Sequence, residues 1–357
     1  MFNKPKDDSQ NDLQVSNQND LPSDTVSSIV WVPSDKAKLF ACASWDSKIR
    51  IYDPEISNYS AKINLKGGFQ TENPILSLAW CNDDVSKIFG GSTDGSVKIF
   101  DIQSGKDLTI GQHDHSVKGL YYVPNAGLVV SLSFDKTIRF WDMKQPQPAA
   151  TIPLGHKVYC SDFAFPYIAI GMSDERIAFL DLKNLQALQN KPLGDFESPL
   201  GKGSQLTTIN FLADASGIAV GTHDGRANIS KFNQDSFGKM KLDTKISFKA
   251  KKYENTPNDK QIQYPVHDMG FSPLKEGFVY TAGGDGSISY WDYLSKERLW
   301  TYEYQGAPVT RSKMNYDGSL LAYSLGYDWA KGILGHQSYN TKICVHVMKE
   351  TDYIQKK

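Results

Sequence analysis

The chain has 357 residues, 40% of them hydrophobic and 12% aromatic, enough to build a packed core. Its formal net charge of −1 excludes a protein that coats nucleic acid by charge alone, so any basic surface has to be local. No apolar run reaches the ~18 residues that a membrane span requires, and the polar stretch 1–24 lacks the apolar segment of a secretory signal.

Taken from the N-terminus, residues 1–11 read as a flexible polar segment, and Leu13-Gln14-Val15 follows as a short alternating strand. From about Thr25 one pattern recurs: a small or apolar run leads to an Asp, and an alternating strand follows, often closing on an aromatic residue plus Asp. The first three instances are Ser44-Trp45-Asp46 to Tyr52-Asp53, Ser92-Thr93-Asp94 to Phe100-Asp101, and Ser133-Phe134-Asp135 to Trp141-Asp142. The remaining anchor aspartates are Asp174, Asp224, Asp285 and, in the most divergent copy, Asp328. The intervals between Asp46 and Asp328 average 47 residues, against about 40–45 for a four-stranded propeller blade. A lone sheet of this size cannot bury both faces, whereas radial stacking buries them and leaves short edges. The expectation is an all-β, seven-bladed WD-repeat β-propeller over 12–350, followed by a basic tail at 351–357. The first repeat shows only three strands before Asp53, and the last, ending at Ile343 to Met348, lacks a clear fourth. Leu13 to Val15 is therefore predicted to supply the outer strand of the last blade and close the ring.

Residues that could carry chemistry are better explained by the repeats. His113, Ser133, Asp135 and Trp141 fit the buried hydrogen-bonded set of a WD blade, and His156 is placed for a similar part in the next. The His113-Asp114-His115 run has no further ligands at metal-site spacing. Gly90-Gly91 and Gly283-Gly284 match no phosphate-loop pattern and suit turns instead. Cys42, Cys81, Cys160 and Cys344 are widely separated and read as reduced core thiols of a cytosolic or nuclear protein. The expectation is no catalytic residue, no metal, no cofactor and no small-molecule substrate.

The repeat register points to a binding surface instead. The residue before each anchor should lie on one rim near the central channel: Trp45, Thr93, Phe134, Ser173, His223, Gly284 and Tyr327, with Trp329 just past the last anchor. Exposed aromatic residues on a rigid rim make interaction hot spots. Lys48, Arg176 and Arg226, two residues past their anchors, add a cationic arc that favours an acidic peptide with apolar residues. A second basic stretch, from Lys239 to Lys260, contains Lys249, Lys251 and Lys252. It reads either as a solvated strand face or as a contact for single-stranded RNA.

Several segments are more specific than a WD repeat requires. They are Ala43-Ser44-Trp45-Asp46-Ser47-Lys48-Ile49-Arg50, Met143-Lys144-Gln145-Pro146-Gln147-Pro148, Asp224-Gly225-Arg226, Tyr264-Pro265-Val266 and Tyr327-Asp328-Trp329-Ala330-Lys331-Gly332. Through these the chain resembles the nuclear-pore WD-repeat proteins of poly(A)+ mRNA export along nearly its whole length. The resemblance implies a monomeric propeller within a larger complex, found in the nucleus, at the nuclear envelope and pore, and in the cytoplasm. It also implies that the upper face grips a GLEBS-type segment of a phenylalanine-glycine nucleoporin, with Trp45, Arg226, Lys249 and Trp329 in contact. Two departures stand out. Phe134 replaces a family tryptophan and loses the indole donor. Phe248-Lys249-Ala250-Lys251-Lys252 replaces Phe-Lys-Cys-His-Arg, and its last lysine cannot pair a carboxylate in bidentate fashion. The related mitotic-checkpoint adaptors, which bind similar motifs in kinases, share the Ser-Trp-Asp and Asp-Gly-Arg elements. The Gln-Pro-Gln-Pro link and the Tyr-Asp-Trp ending favour the export branch.

Overall fold

Seven short turns set the architecture. In six of them the anchor carboxylate accepts the backbone N–H two residues on, as Asp46 does from Lys48 at 3.1 Å and Asp135 from Thr137 at 2.9 Å. The residue after every anchor occupies the left-handed region, from Ser47 at φ 60° to Gly95 at φ 89°. In the first six blades this reverses the chain tightly between two strands, whereas in the last 326–341 separate Leu320–Leu325 from Lys342–Val347. Glycine is natural at such a position, and Gly95, Gly225 and Gly286 take it; Trp329, at φ 62°, is a bulky exception.

The computed structural model describes residues 12–34, 37–56, 61–124, 126–145, 147–184, 194–234, 240–251, 253–255, 261–303, 305–333, 335 and 340–355. Seven four-stranded antiparallel sheets form the blades of a propeller. Blade one runs through Val26–Trp31, Phe40–Ser44, Lys48–Ile56 and Ala61–Gln70, from channel to outer edge. Blades two to six occupy 75–112, 117–153, 158–197, 206–249 and 266–302. Blade seven takes Val309–Met314, Leu320–Leu325 and Lys342–Val347 from the end of the chain. Its outer strand is Leu13–Gln14, with Leu13 opposite Val345 and Gln14 opposite Cys344. Leu13 and Val15 pack with Val26, Phe40, Ile343 and Val345, so one apolar cluster spans the seam between the first and last blades. The predicted closure is the one observed. The segment 1–11 lies outside the described residues.

An electrostatic clasp reinforces that seam. His346 lies between Asp12, 2.6 Å from Nδ1, and Asp352, 3.0 Å from Nε2. Tyr323 donates to Asp12 and Tyr302 to Asp352. The expectation of a tail from 351 is therefore corrected: Asp352 is buried, and the Tyr353 ring packs on Phe278. Of 351–357, Lys356 and Lys357 alone fall outside the described residues.

One irregularity repeats in every blade. The pairing of the two innermost strands skips one residue near the start, and that extra residue is Ser27, Leu76, Lys118, Tyr159, Thr207, His267 or Thr310. A bulge of this kind re-aims a side chain. Here the buried Val, Ile or Leu before it fills the inter-blade core, while the bulged residue lines the mouth of the central channel.

Candidate functional site

The polar set of blade three is a brace. His113 contacts Asp135 through Nδ1 at 2.7 Å and Ser131 through Nε2 at 2.7 Å, and Trp141 Nε1 donates to Ser131 Oγ at 2.7 Å. Ser131 accepts from the indole and so can donate to Nε2, which leaves the histidine proton on Nδ1, facing the carboxylate. That makes the ring neutral, and burial holds His113 below the usual histidine range despite Asp135. Burial also opposes the charge on Asp135, but hydrogen bonds from Thr137 and His113 outweigh it and keep the carboxyl below its usual range. Ser133 has a different part from the one expected. Its hydroxyl accepts the Asp135 N–H and donates to the His115 carbonyl, capping the turn. Ser131 is the missing member, invisible in sequence because it lies on the neighbouring strand, opposite Arg139.

Blade six builds the same relay with a lysine. Lys251 Nζ stands 3.4 Å from Asp285 Oδ1 and donates to the carbonyls of Thr281 and Ser287, while Trp291 Nε1 donates to Thr281 Oγ1. Lys251 is thus buried in the place that His113 occupies in blade three, which overturns its assignment to an RNA-contacting surface. Lys252 lies outside the described residues. Lys249 is exposed at the end of Met240–Lys249, in register with Arg226.

The cationic arc is largely neutralised. Arg226 is tied to Asp224 at 2.7 Å and bonds Ser204 and the Leu200 carbonyl, so it belongs to the blade-five brace as well as to the surface. Arg176 pairs with Asp195 at 2.7 Å. His156 approaches Asp174 at 3.3 Å but remains half exposed. Lys48 stands exposed.

The aromatic rim is formed in part as expected. Trp45 is 47% exposed and Trp329 44% exposed, whereas Phe134 is half-buried with its ring edge-on to Tyr159 at 6.3 Å. Tyr327 does not join them. It is buried, its hydroxyl donates to the Gly332 carbonyl and accepts from the Lys331 N–H, and its ring supports Trp329 at 5.4 Å. Thr25 ties the two rim segments together across the seam: its carbonyl accepts the Trp45 N–H and its hydroxyl donates to the carbonyl of Tyr327, two residues before Trp329.

Between Trp45, Phe134 and Trp329 lies a hollow of about 310 Å³ at the channel mouth, with Lys118, Arg311 and His267 among its walls. His267 contacts Asp328 at 3.1 Å. Burial, reinforced by Arg311, pushes the Lys118 ammonium down to about 8. Sequence reasoning missed Lys118 because only the bulge, not the repeat spacing, directs it here. Cys42, Cys160 and Cys344 have their thiols pushed up to about 12 by burial, and all four cysteines are buried and unpaired with one another. Among the described residues no three His, Cys, Asp or Glu side chains are grouped to hold a metal ion.

Seven Asp-braced blades around a channel with aromatic rings at its mouth define a WD-repeat β-propeller. The family model described as WD domain, G-beta repeat matches 17–53, 64–101 and 106–142. Over most of its length the chain is similar to Protein Rae1 of Drosophila melanogaster, 32% identical over 92% of this chain and 91% of that protein. It is 31% identical to mRNA export factor rae-1 of Caenorhabditis elegans, over 91% of this chain and 86% of the relative. The Poly(A)+ RNA export protein of Schizosaccharomyces pombe is 29% identical over 93% of this chain and 90% of its own length. The chain belongs to this family of WD-repeat mRNA export factors.

Proposed function

We propose that the chain is a non-enzymatic scaffold of poly(A)+ mRNA export whose upper rim grips a GLEBS-type segment of a phenylalanine-glycine nucleoporin. The observation that carries this reading is the pair of exposed tryptophans, Trp45 and Trp329, flanking the channel mouth above Lys118 and Arg311. Tryptophan dominates interface hot spots because it contributes a large rigid contact at little entropic cost. A cationic floor beneath it selects an acidic segment. The names of the relatives support the export role, and the resemblance of the motifs supports a site of action at the nuclear envelope and pore with a cytoplasmic pool. Arg226 contributes as a cation already held by Asp224, and Lys249 beside it as an exposed one. RNA binding by the Lys249-Lys252 segment is not favoured, because Lys251 is spent inside blade six.

A pull-down from nuclear extract tests the reading and separates it from the checkpoint alternative. The expected result is recovery of a phenylalanine-glycine nucleoporin by the wild-type chain and its loss with Trp45→Ala. Recovery of checkpoint kinases without nucleoporins would overturn the export reading.

A further inference from the structure

We propose that Lys118 is the receiving point for a carboxylate side chain, an Asp or Glu that the rim-bound segment inserts into the mouth of the central channel. This rests on the rim-binding reading above and names the chemistry of one subsite within it.

The repeated bulge supplies the first argument. The extra residue on each innermost strand is directed at the channel mouth, and four of its polar versions, Tyr159 apart, are satisfied within the protein. Ser27 donates to the Ile75 carbonyl, Thr207 to the Val266 carbonyl, Thr310 pairs with Ser324, and His267 meets Asp328. Lys118 is the long cation of the set, and it has no hydrogen-bond or ion-pair partner among the described residues. Lys118 is half-buried; an ammonium partly withdrawn from water without a counter-charge is costly, and an arriving carboxylate removes that cost.

The surroundings supply the second. The channel below carries Lys118, Arg311 and Lys313 against Asp162 and Asp268, a positive excess. Neither carboxylate is within ion-pair reach of Lys118. Asp162 accepts from the Phe211 N–H, and Asp268 from the N–H groups of Ser312 and Met269. Arg311 is fixed on the carbonyls of Ser27 and Thr310. Above Lys118 the hollow opens between the rings of Trp45, Phe134 and Trp329, and the carboxylate in its wall, Asp328, is held by His267. Apolar walls exclude water and strengthen the ion pair formed at the bottom. The approach suits an acidic side chain extending from a segment laid across the rim.

The same ammonium could in principle hold a free anion, so the test has two arms. In the first, a GLEBS-type peptide and its single Asp→Asn and Glu→Gln variants are titrated calorimetrically into wild type, Lys118→Met and Lys118→Arg, each checked by circular dichroism. Lys118→Met should bind at least tenfold more weakly and Lys118→Arg close to wild type. One acidic position should matter in wild type and become silent in Lys118→Met. In the second arm, acetylation of Lys118 is followed by mass spectrometry. The peptide should protect it, and inorganic phosphate at the same concentration should not. Peptide binding that depends on Trp45 but is indifferent to Lys118→Met overturns this inference and leaves the rim reading standing. Protection by phosphate with no acidic position coupled to Lys118 also overturns it, in favour of a free-anion site. Absence of peptide binding to the wild-type chain overturns both.

Discussion

His346 should make the stability of the ring depend on pH. Burial alone would lower its pKa, but hydrogen bonds and charge from Asp12 and Asp352 outweigh this and lift it from 6.5 to about 9. A histidine whose folded pKa lies above its unfolded value contributes stability fully present below the unfolded value. That contribution fades as pH rises through the folded value. The window here is 6.5 to about 9. At about 1.4 kcal/mol per pH unit, the contribution at pH 6 is on the order of 3 kcal/mol, and it is mostly gone by pH 9.5. Lys118 titrates with the opposite sign, between about 8 and its ordinary 10.5. The informative quantity is therefore the difference between wild type and His346→Gln at each pH, since Lys118 and the buried thiols cancel. Urea unfolding at pH 6 and pH 9.5 measures it. The gap between the two proteins should shrink by roughly 2–3 kcal/mol on going to the higher pH. A gap that is the same at both values would refute the reasoning, because the clasp would then hold by shape and not by charge.

Deleting residues 1–17 removes the closing strand and Asp12 together, exposing the edge of Lys342–Val347. The melting temperature should fall by at least about 5 °C and the protein should begin to associate; a monomer that melts with the full chain would contradict the closure model. Asp135→Ala leaves the donors of Thr137 and His113 without their acceptor and should cost ~1–3 kcal/mol in thermal unfolding, whereas an inessential Asp would stay within about ±0.5 kcal/mol. Lys251→Met strips Asp285 of its buried cation and should destabilise by about 3 kcal/mol with no change in RNA retention at low salt. Weakened RNA retention in a fully stable variant would restore a surface role to that lysine.

The anchors, the blade number and the closing strand were legible because each depends on local chemistry. An Asp that must accept the N–H two residues on, and a strand that must alternate, leave marks in the sequence at fixed offsets. What depends on register did not show. Ser131 joins the brace only because its strand lies beside that of Trp141, and Lys251 takes the place of His113 only because blade six folds around it. Arg226 reads as a surface cation by spacing, yet Asp224 and Ser204 hold it. Tyr327 occupies a rim position by spacing, yet the left-handed backbone at Trp329 leaves that tryptophan exposed while the tyrosine stays buried beneath it. Lys118 is the plainest case: one skipped pairing after Val117 decides whether it lines a channel or faces a neighbouring blade.

Calorimetric titration of a GLEBS-type nucleoporin peptide into wild type and Trp45→Ala tests the central claim most directly. Trp45 has its ring in solvent and its backbone fixed by Thr25, so its loss should spare the fold while removing the contact. The account predicts saturable one-to-one binding to wild type and a penalty of at least ~2 kcal/mol, about a thirtyfold loss of affinity, in a variant with unchanged circular dichroism. Equal affinity in the two folded proteins would contradict it and move the binding site off the rim.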